Sequence, residues 1–294
     1  MLNNLNDQRI ENFTLGTDPE FIIVDKNNNL LSAQDYVPGK KGEGFDLGEG
    51  FACEADGVMA ELTVPPTSDK KVFIDNVNIA KEKLIEYIKK EHDIDIKLLS
   101  KSSDFYPEHL LNNPNVLTFG CEPSYCIYTQ AISPRPDAAE VGNLRSAGFH
   151  IHIGVPYMLS MNSIEEMIYL MDVFNGVPSI IEDTDQNRRR LYGNAGDFRF
   201  HFKENLTLFE YRTLGAASSN HIDQVIDRTL LAIKVFNEKN KELFEILNGI
   251  KKNVRDCIDN NNYEQAVELS NILIQHFPKE TCLQQQLKFH YAEN

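Results

Sequence analysis

Ser146-Ala147-Gly148-Phe149-His150-Ile151-His152-Ile153-Gly154 is the stretch from which the rest of the chain is read. Strict alternation predicts a β-strand with His150 and His152 on one face and Phe149, Ile151 and Ile153 on the other. Neutral imidazoles are the commonest nitrogen ligands of metals, and glycines at both ends let a backbone or a ligand approach closely. The same pattern also fits a plain strand with two half-exposed histidines. What separates the two readings is the acidic company elsewhere in the chain.

Thr14 to Val24 reads as a second strand, with Asp18, Glu20 and Ile22 on one face and Pro19 marking its start or a sheet edge. Paired carboxylates at the head of an apolar strand are costly unless a cation neutralises them, although a solvated strand end fits too. Phe51 to Thr63 predicts a hairpin turning at Asp56-Gly57. That turn sets Glu54 opposite Met59 and Ala52 opposite Glu61, so Glu54 and Glu61 are diagonal neighbours roughly 7–8 Å apart at the backbone. Arms of that length can converge on one divalent ion, or they form the polar outer face of a hairpin packed through Phe51, Cys53 and Leu62.

The intervening residues 26–50, rich in Gly, Asn and Lys, predict an irregular loop without a phosphate-binding signature. Ser68 or Asp69 caps a helix reaching about Glu91, with Phe73, Val77, Ala80, Leu84 and Ile88 as its core stripe. Phe105 to Asn115 is loop-like, and Val116 to Thr129 is strand-rich, with Glu122 and Tyr125 as candidate substrate contacts or exposed strand residues. Arg135 lies in a proline-rich loop. A helix is expected from about Ser163 to Asn175, opened by a Ser163/Glu166 capping box.

Arg188, Arg189, Arg190 and Arg199 crowd a Gly-containing stretch of an otherwise acidic chain. Arginine forks match phosphate oxygens, and a solvated basic turn is the competing reading. Phe198 to Lys203 and Leu206 to Thr213 predict two strands around Glu204-Asn205, pairing Glu210 with Arg212 and Arg199 with His201 by face. From Ile222 a helical run continues to Gly249, followed by helices near Tyr263 to His276 and Cys282 to Tyr291. His276 and His290 read as structural or exposed.

Composition limits the function classes. The 294 residues suffice for a large core, and 44 acidic against 29 basic residues give a net charge of −15. That balance argues against nucleic acid or an anionic membrane as the main partner. The polar N-terminus does not read as a signal peptide, no apolar run has membrane-spanning length, and five cysteines without a CxxC pair suit a reduced cytosolic protein. Acid-bearing strands separated by helices predict an α+β fold with one sheet face lined by ligands. Oxygen-rich sites with an imidazole suit magnesium or manganese better than zinc, and nearby arginines suit a polyphosphate. Together these describe nucleotide-dependent phosphoryl transfer.

Five motifs in order carry a family resemblance: Gly16-Thr-Asp-Pro-Glu-Phe21, Glu54 through Glu61 with Pro65-Pro66, Phe149-His-Ile-His-Ile-Gly154, Tyr192-Gly-Asn-Ala-Gly-Asp-Phe-Arg199 and Glu210-Tyr-Arg-Thr-Leu214. Across residues 14–215 the chain resembles the phage-type carboxylate–amine ligases (amidoligases) of the glutamine synthetase/glutamate–cysteine ligase superfamily. The resemblance implies a curved antiparallel sheet flanked by helices, a catalytic domain over 1–245 and a helical C-terminal extension over 246–294. It implies ATP and two or three magnesium ions, with manganese as a substitute.

By position, Glu20, Glu54 and Glu61 match the carboxylates of one metal site. Asp18, His150 and Glu210 match the second, with Asp18 standing where the synthetase pattern has Glu and so reaching the ion through water. Arg199 and Arg212 match the arginines that hold phosphate and the transferring group, with Glu210 beside them as a catalytic residue. His152 and Arg190 join them as candidate nucleotide contacts, His152 also as a contact to the substrate carboxylate. The implied partners are a small-molecule or peptide carboxylate and an amine, with homo-oligomerisation an option. A phage-encoded protein acting in a host cytoplasm is also implied. A guanidino kinase of the same catalytic fold, a degenerate binding module and a metal hydrolase centred on His150 and His152 are the competing classes.

Overall fold

The computed structural model describes residues 8–117, 124–134 and 141–285. Glu122, Arg135 and His290 therefore lie outside the described residues, as do parts of the expected 116–129 strand region and 282–291 helix. The architecture is α+β, built on antiparallel sheets that curl around one concave face.

The His-x-His stretch forms the strand Ile151–Val155, whose buried residues alternate with His152 and Gly154. It lies between Thr14–Gly16 and Leu206–Tyr211. The sheet continues through Asp197–Lys203, Tyr125–Cys126 and Ala131–Ile132, every pairing antiparallel. Register places Gly16, His152, Glu210 and Arg199 in one row across four strands. The opposite face presents Ile151, Ile153, Phe209 and Tyr211 to the core. There they meet the helices Met161–Met171 and Ile222–Glu238.

A second sheet runs Leu30–Leu31, Glu20–Asp25, Met59–Thr63, Phe51–Asp56 and Phe45–Gly48, with Ile96–Leu99 on the other side of Glu20–Asp25. The helix Lys70–His92 covers it, capped by Asp69, whose carboxylate accepts from Val72 N–H at 2.9 Å. Phe73, Val77, Ala80, Leu84 and Ile88 are its buried residues, the predicted stripe.

The continuous strand expected over Thr14–Val24 is two strands in different sheets, Thr14–Gly16 and Glu20–Asp25. Proline at 19 lacks an N–H and restricts the backbone of Asp18, so the ladder breaks there. Ladder bonding resumes where Glu20 N–H donates to Gly148 O at 3.0 Å and Leu62 N–H to Pro19 O at 3.0 Å. This break joins the sheets and carries Asp18 over the junction.

The hairpin register also differs from expectation. Glu54 pairs with Glu61 and Asp56 with Met59, leaving Gly57-Val58 as the turn. Gly57 takes the left-handed conformation at φ 59°. Val58 is buried with Ile22, Val24 and Tyr106, and its carbonyl accepts from Ala33 N–H at 3.0 Å. Tertiary burial of one valine thus overrides the local Asp-Gly turn preference.

Residues 26–50 are more regular than expected, with the strands Leu30–Leu31 and Phe45–Gly48 and the short helix Ala33–Tyr36. The first helix after the His strand starts at Met161, two residues before the expected Ser163, with Ser160 as its N-cap. Ser160 accepts from Ser163 N–H at 3.2 Å, and Glu166 pairs with Lys239 at 2.8 Å. It runs through a π-helical turn, Asp172–Gly176, into Val177–Glu182. The helical run from Ile222 breaks at Lys239, where φ is 49°, and resumes as Lys241–Gly249 and Lys251–Asp259 before the expected helix Tyr263–His276. Leu247, Val254, Cys257, Ile258, Leu269 and Leu273 join the main core. Among the described residues no helix is long and apolar enough to cross a membrane.

Candidate active site

Two clusters of ligand-bearing side chains occupy the concave face where the sheets meet: Asp18, His150 and Glu210, and Glu20, Asp56 and Glu61. In the first, His150 Nδ1 lies 3.0 Å from Asp18 Oδ1 and 3.1 Å from Glu210 Oε1. His152 Nε2 lies 3.2 Å from the same Asp18 oxygen. Gly148 leaves the room that the His150 ring takes, since a Cβ there would stand 2.5 Å from His150 Nε2. Arg212 donates to Glu210 Oε1 at 2.7 Å, and Arg199 Nη1 is 3.8 Å from Glu210 Oε2.

These charges fix the ionisation of the cluster. Burial opposes the charged form of Asp18, but His152 and then His150 outweigh it and hold the carboxyl well below its ordinary value. Burial and Asp18 push Glu210 upward, yet Arg212 and the His150 contact bring it down to about 2. Burial is the largest single influence and lowers both imidazoles, but the attraction of Asp18 together with the Asp18 and Glu210 contacts outweighs it and raises them.

The second cluster has the opposite character. Burial raises Glu61 well above the usual carboxylate range, Asp18 adds to it, and Lys41 opposes it. Burial likewise raises Glu20 against the pull of His150, with Asp56 adding to the rise. Glu20 Oε2 accepts from Gly148 N–H at 2.6 Å, which ties this cluster to the His-x-His stretch. Buried carboxylates gathered on one face are a donor set for a hard divalent cation, whose binding would favour their ionised forms. By ligand chemistry both clusters fit magnesium or manganese: oxygen donors throughout and a single imidazole.

Of the residues marked in the sequence, the structure gathers Asp18, Glu20, Glu61, His150, His152, Arg199, Glu210 and Arg212 at this face. Glu54 stands directly across from Glu61, but its Oε2 accepts from Gly42 N–H at 3.1 Å, and Asp56 rather than Glu54 completes the three-residue group. Asp56 was legible in principle, since it alternates with Glu54 on one strand face. Arg190 is exposed and reaches Asn187 Oδ1 at 3.5 Å.

Arg188 is the buried member of the arginine run. Its guanidinium donates to the carbonyls of Ala147, Tyr192, Thr213 and Leu214 at 2.7–3.2 Å and to Arg212 O at 3.4 Å. Burial and the neighbouring Arg189 lower it to about 10. Arg189 donates to Thr213 O at 2.6 Å and to Gly193 O. These two arginines therefore clamp the backbone that follows Glu210, a role no sequence pattern announces. Gly193 turns at φ 80° and leaves the space that the Arg188 guanidinium fills.

A cleft opens over the clusters, lined by Glu20, Asp56, Arg145, His150, Arg188 and Arg212 among others. Arg145, which the sequence marks only as preceding the His-x-His strand, donates to Gly142 O at 2.8 Å and Leu144 O at 2.7 Å on the cleft wall. Two carboxylate clusters beside converging arginines can hold cations and a polyanion together.

No family model matches the chain, and no curated protein sequence matches it. Several solved structures are similar in part. Ligand-free GmaS aligns at 11% identity over 76% of this chain and 54% of its own, with a TM-score of 0.40. The glutamine synthetase of Plasmodium falciparum aligns at 10% identity over 76% and 51%, with a TM-score of 0.38. PafA, the ligase of the prokaryotic ubiquitin-like protein Pup, solved in complex with Pup, aligns at 9% identity over 97% and 64%, with a TM-score of 0.45. The chain thus spans between half and two thirds of the length of these proteins, and the functional reading rests on the site itself.

Proposed function

We propose that this chain is an ATP- and magnesium-dependent ligase of the glutamine-synthetase-like type, joining a carboxylate to an amine. The observation that carries the reading is the pair of ligand clusters, Asp18/His150/Glu210 and Glu20/Asp56/Glu61, on one concave sheet face beside Arg199 and Arg212. The ordered motifs of the phage-type carboxylate–amine ligases support the finer assignment, including a catalytic part over 1–245 and a helical extension over 246–294.

Divalent cations at the clusters would neutralise phosphate oxygens and orient the triphosphate. Arg212 and Arg199 supply fixed positive charge where negative charge accumulates during transfer. A substrate carboxylate oxygen attacks the γ-phosphorus, the bond to the β-phosphate oxygen breaks, and ADP leaves. The amine then attacks the acyl carbon, phosphate departs with the C–O electron pair, and the nitrogen gives up a proton. His152, in the same cross-strand row as Glu210 and Arg199, would contact the nucleotide or the substrate carboxylate. Phosphorylation is needed because a free carboxylate is a poor electrophile.

The test follows ADP and phosphate with Mg²⁺ and ATP while pooled amino acids and polyamines are supplied. ADP formation that requires both an acid and an amine, with a product mass equal to their condensation, is the expected result. Reversible phosphoryl transfer to a guanidine without an amide, or no ATP turnover with any cation, would overturn it.

A further inference from the structure

The Glu20/Asp56/Glu61 cluster already contains a cation, and it belongs to the protein. Lys41 Nζ stands 2.7 Å from Asp56 Oδ2, 2.8 Å from Glu61 Oε2 and 3.6 Å from Glu54 Oε1. Its ammonium occupies the space between carboxylates that a divalent ion would need, since Mg²⁺ draws its oxygens to about 2.0–2.1 Å. Both cannot be there together.

We propose that Lys41 is a displaceable tethered cation: it holds this site in the metal-free protein and swings out to solvent when a divalent ion binds. The inference rests on the cation-binding reading above and concerns how that site is guarded. Three observations carry it. First, one ammonium faces three carboxylates, Glu54, Asp56 and Glu61, with Glu20 clustered beside Asp56 and Glu61, so a dication neutralises the group better than the lysine does. Second, the Lys41 side chain is 41% exposed while the acids it bridges are 12–14% exposed, so the lysine has a route outward and they do not.

Third, the backbone beneath Lys41 is fixed. Lys40 and Glu43 exchange backbone hydrogen bonds at 3.2 and 2.8 Å, Ala55 N–H donates to Gly39 O at 3.0 Å, and Gly42 N–H binds Glu54. Displacement therefore needs rotation of one flexible side chain, not movement of a loop. In the Asp18/Glu210 cluster the facing groups are His150, His152 and Arg212 rather than a lysine, so the guard is confined to one of the two sites.

The experiment is calorimetric and EPR titration of the full chain with Mn²⁺, without nucleotide, for the wild type, Lys41→Gln and Lys41→Arg. Far-UV CD and a thermal melt verify that each is folded. The wild type should bind two ions per chain, one of them weakly. Lys41→Gln should tighten the weak ion by about tenfold or more and leave the other unchanged, while Lys41→Arg stays close to wild type. Equal affinities in wild type and Lys41→Gln would overturn the proposal while leaving the cation sites standing. So would one ion in the wild type and two in Lys41→Gln, which would make the lysine a permanent occupant. Failure of every variant to bind Mn²⁺ would remove the cation reading itself, and the guard with it.

Discussion

Replacing Asp172 by asparagine tests the polar core that supports the active face from behind. Asp172 lies in the π-helical turn, fully buried, and its Oδ1 accepts from Tyr211 Oη at 2.8 Å while Oδ2 accepts from Tyr128 Oη at 2.9 Å. Tyr211 sits between Glu210 and Arg212, so this contact braces the strand whose other face carries the site. Burial pushes the carboxyl up from 3.8 to about 7, against the lowering effect of the two tyrosine bonds. Between those values the folded state binds more protons than the unfolded one, so this group's contribution falls as pH rises and is nearly gone above about pH 7.

From pH 5 to pH 8 that loss amounts to about 2.5 kcal/mol as an order-of-magnitude figure, at about 1.36 kcal/mol for each tenfold change in the ionisation constant. The asparagine side chain keeps an acceptor for Tyr211 but cannot titrate, so the variant escapes the loss. Urea unfolding of both proteins at pH 5, 6, 7 and 8 cancels every other titration in the difference. Asp172→Asn should gain on the wild type by about 2 kcal/mol or more across that range. A difference that stays flat from pH 5 to pH 8 would refute the argument.

Other expectations follow from the site. Glu61→Gln and Glu210→Gln should each abolish turnover and leave the far-UV CD unchanged; near-normal activity in either removes the metal assignment. Arg188→Met should cost about 3–5 kcal/mol in urea unfolding, because several buried carbonyls lose a charged donor at once; a cost below about 1 kcal/mol would show the clamp to be dispensable. Gly148→Ala should drive the His150 ring from its place, so Mn²⁺ binding weakens and turnover drops while the melting temperature moves little. Unchanged Mn²⁺ affinity in that variant would separate His150 from the cation site.

Much of this site is written locally. Alternation alone places His150 and His152 on the face opposite Ile151 and Ile153, and the helix stripe from Phe73 to Ile88 is buried residue for residue. The pairing of acids with arginines along Glu210-Tyr211-Arg212 is equally a matter of strand periodicity. Such patterns are legible because side-chain direction in a strand or helix depends only on nearby backbone.

What tertiary structure alone decided concerns groups whose partners are distant in the chain. The hairpin register follows from burial of Val58 among Ile22, Val24 and Tyr106, and it keeps Asp56 on the strand, where it joins Glu20 and Glu61. Arg188 and Arg189 resemble phosphate ligands in sequence, yet carbonyls from Ala147 to Leu214 converge on them and turn them into clamps. Lys41 lies in a stretch that reads as featureless loop, and only the folded sheet brings Asp56 and Glu61 to 2.7 and 2.8 Å from its ammonium. Local periodicity fixes which way a side chain points, but a buried charge takes its role from whatever the fold sets against it, and that is a property of the whole chain.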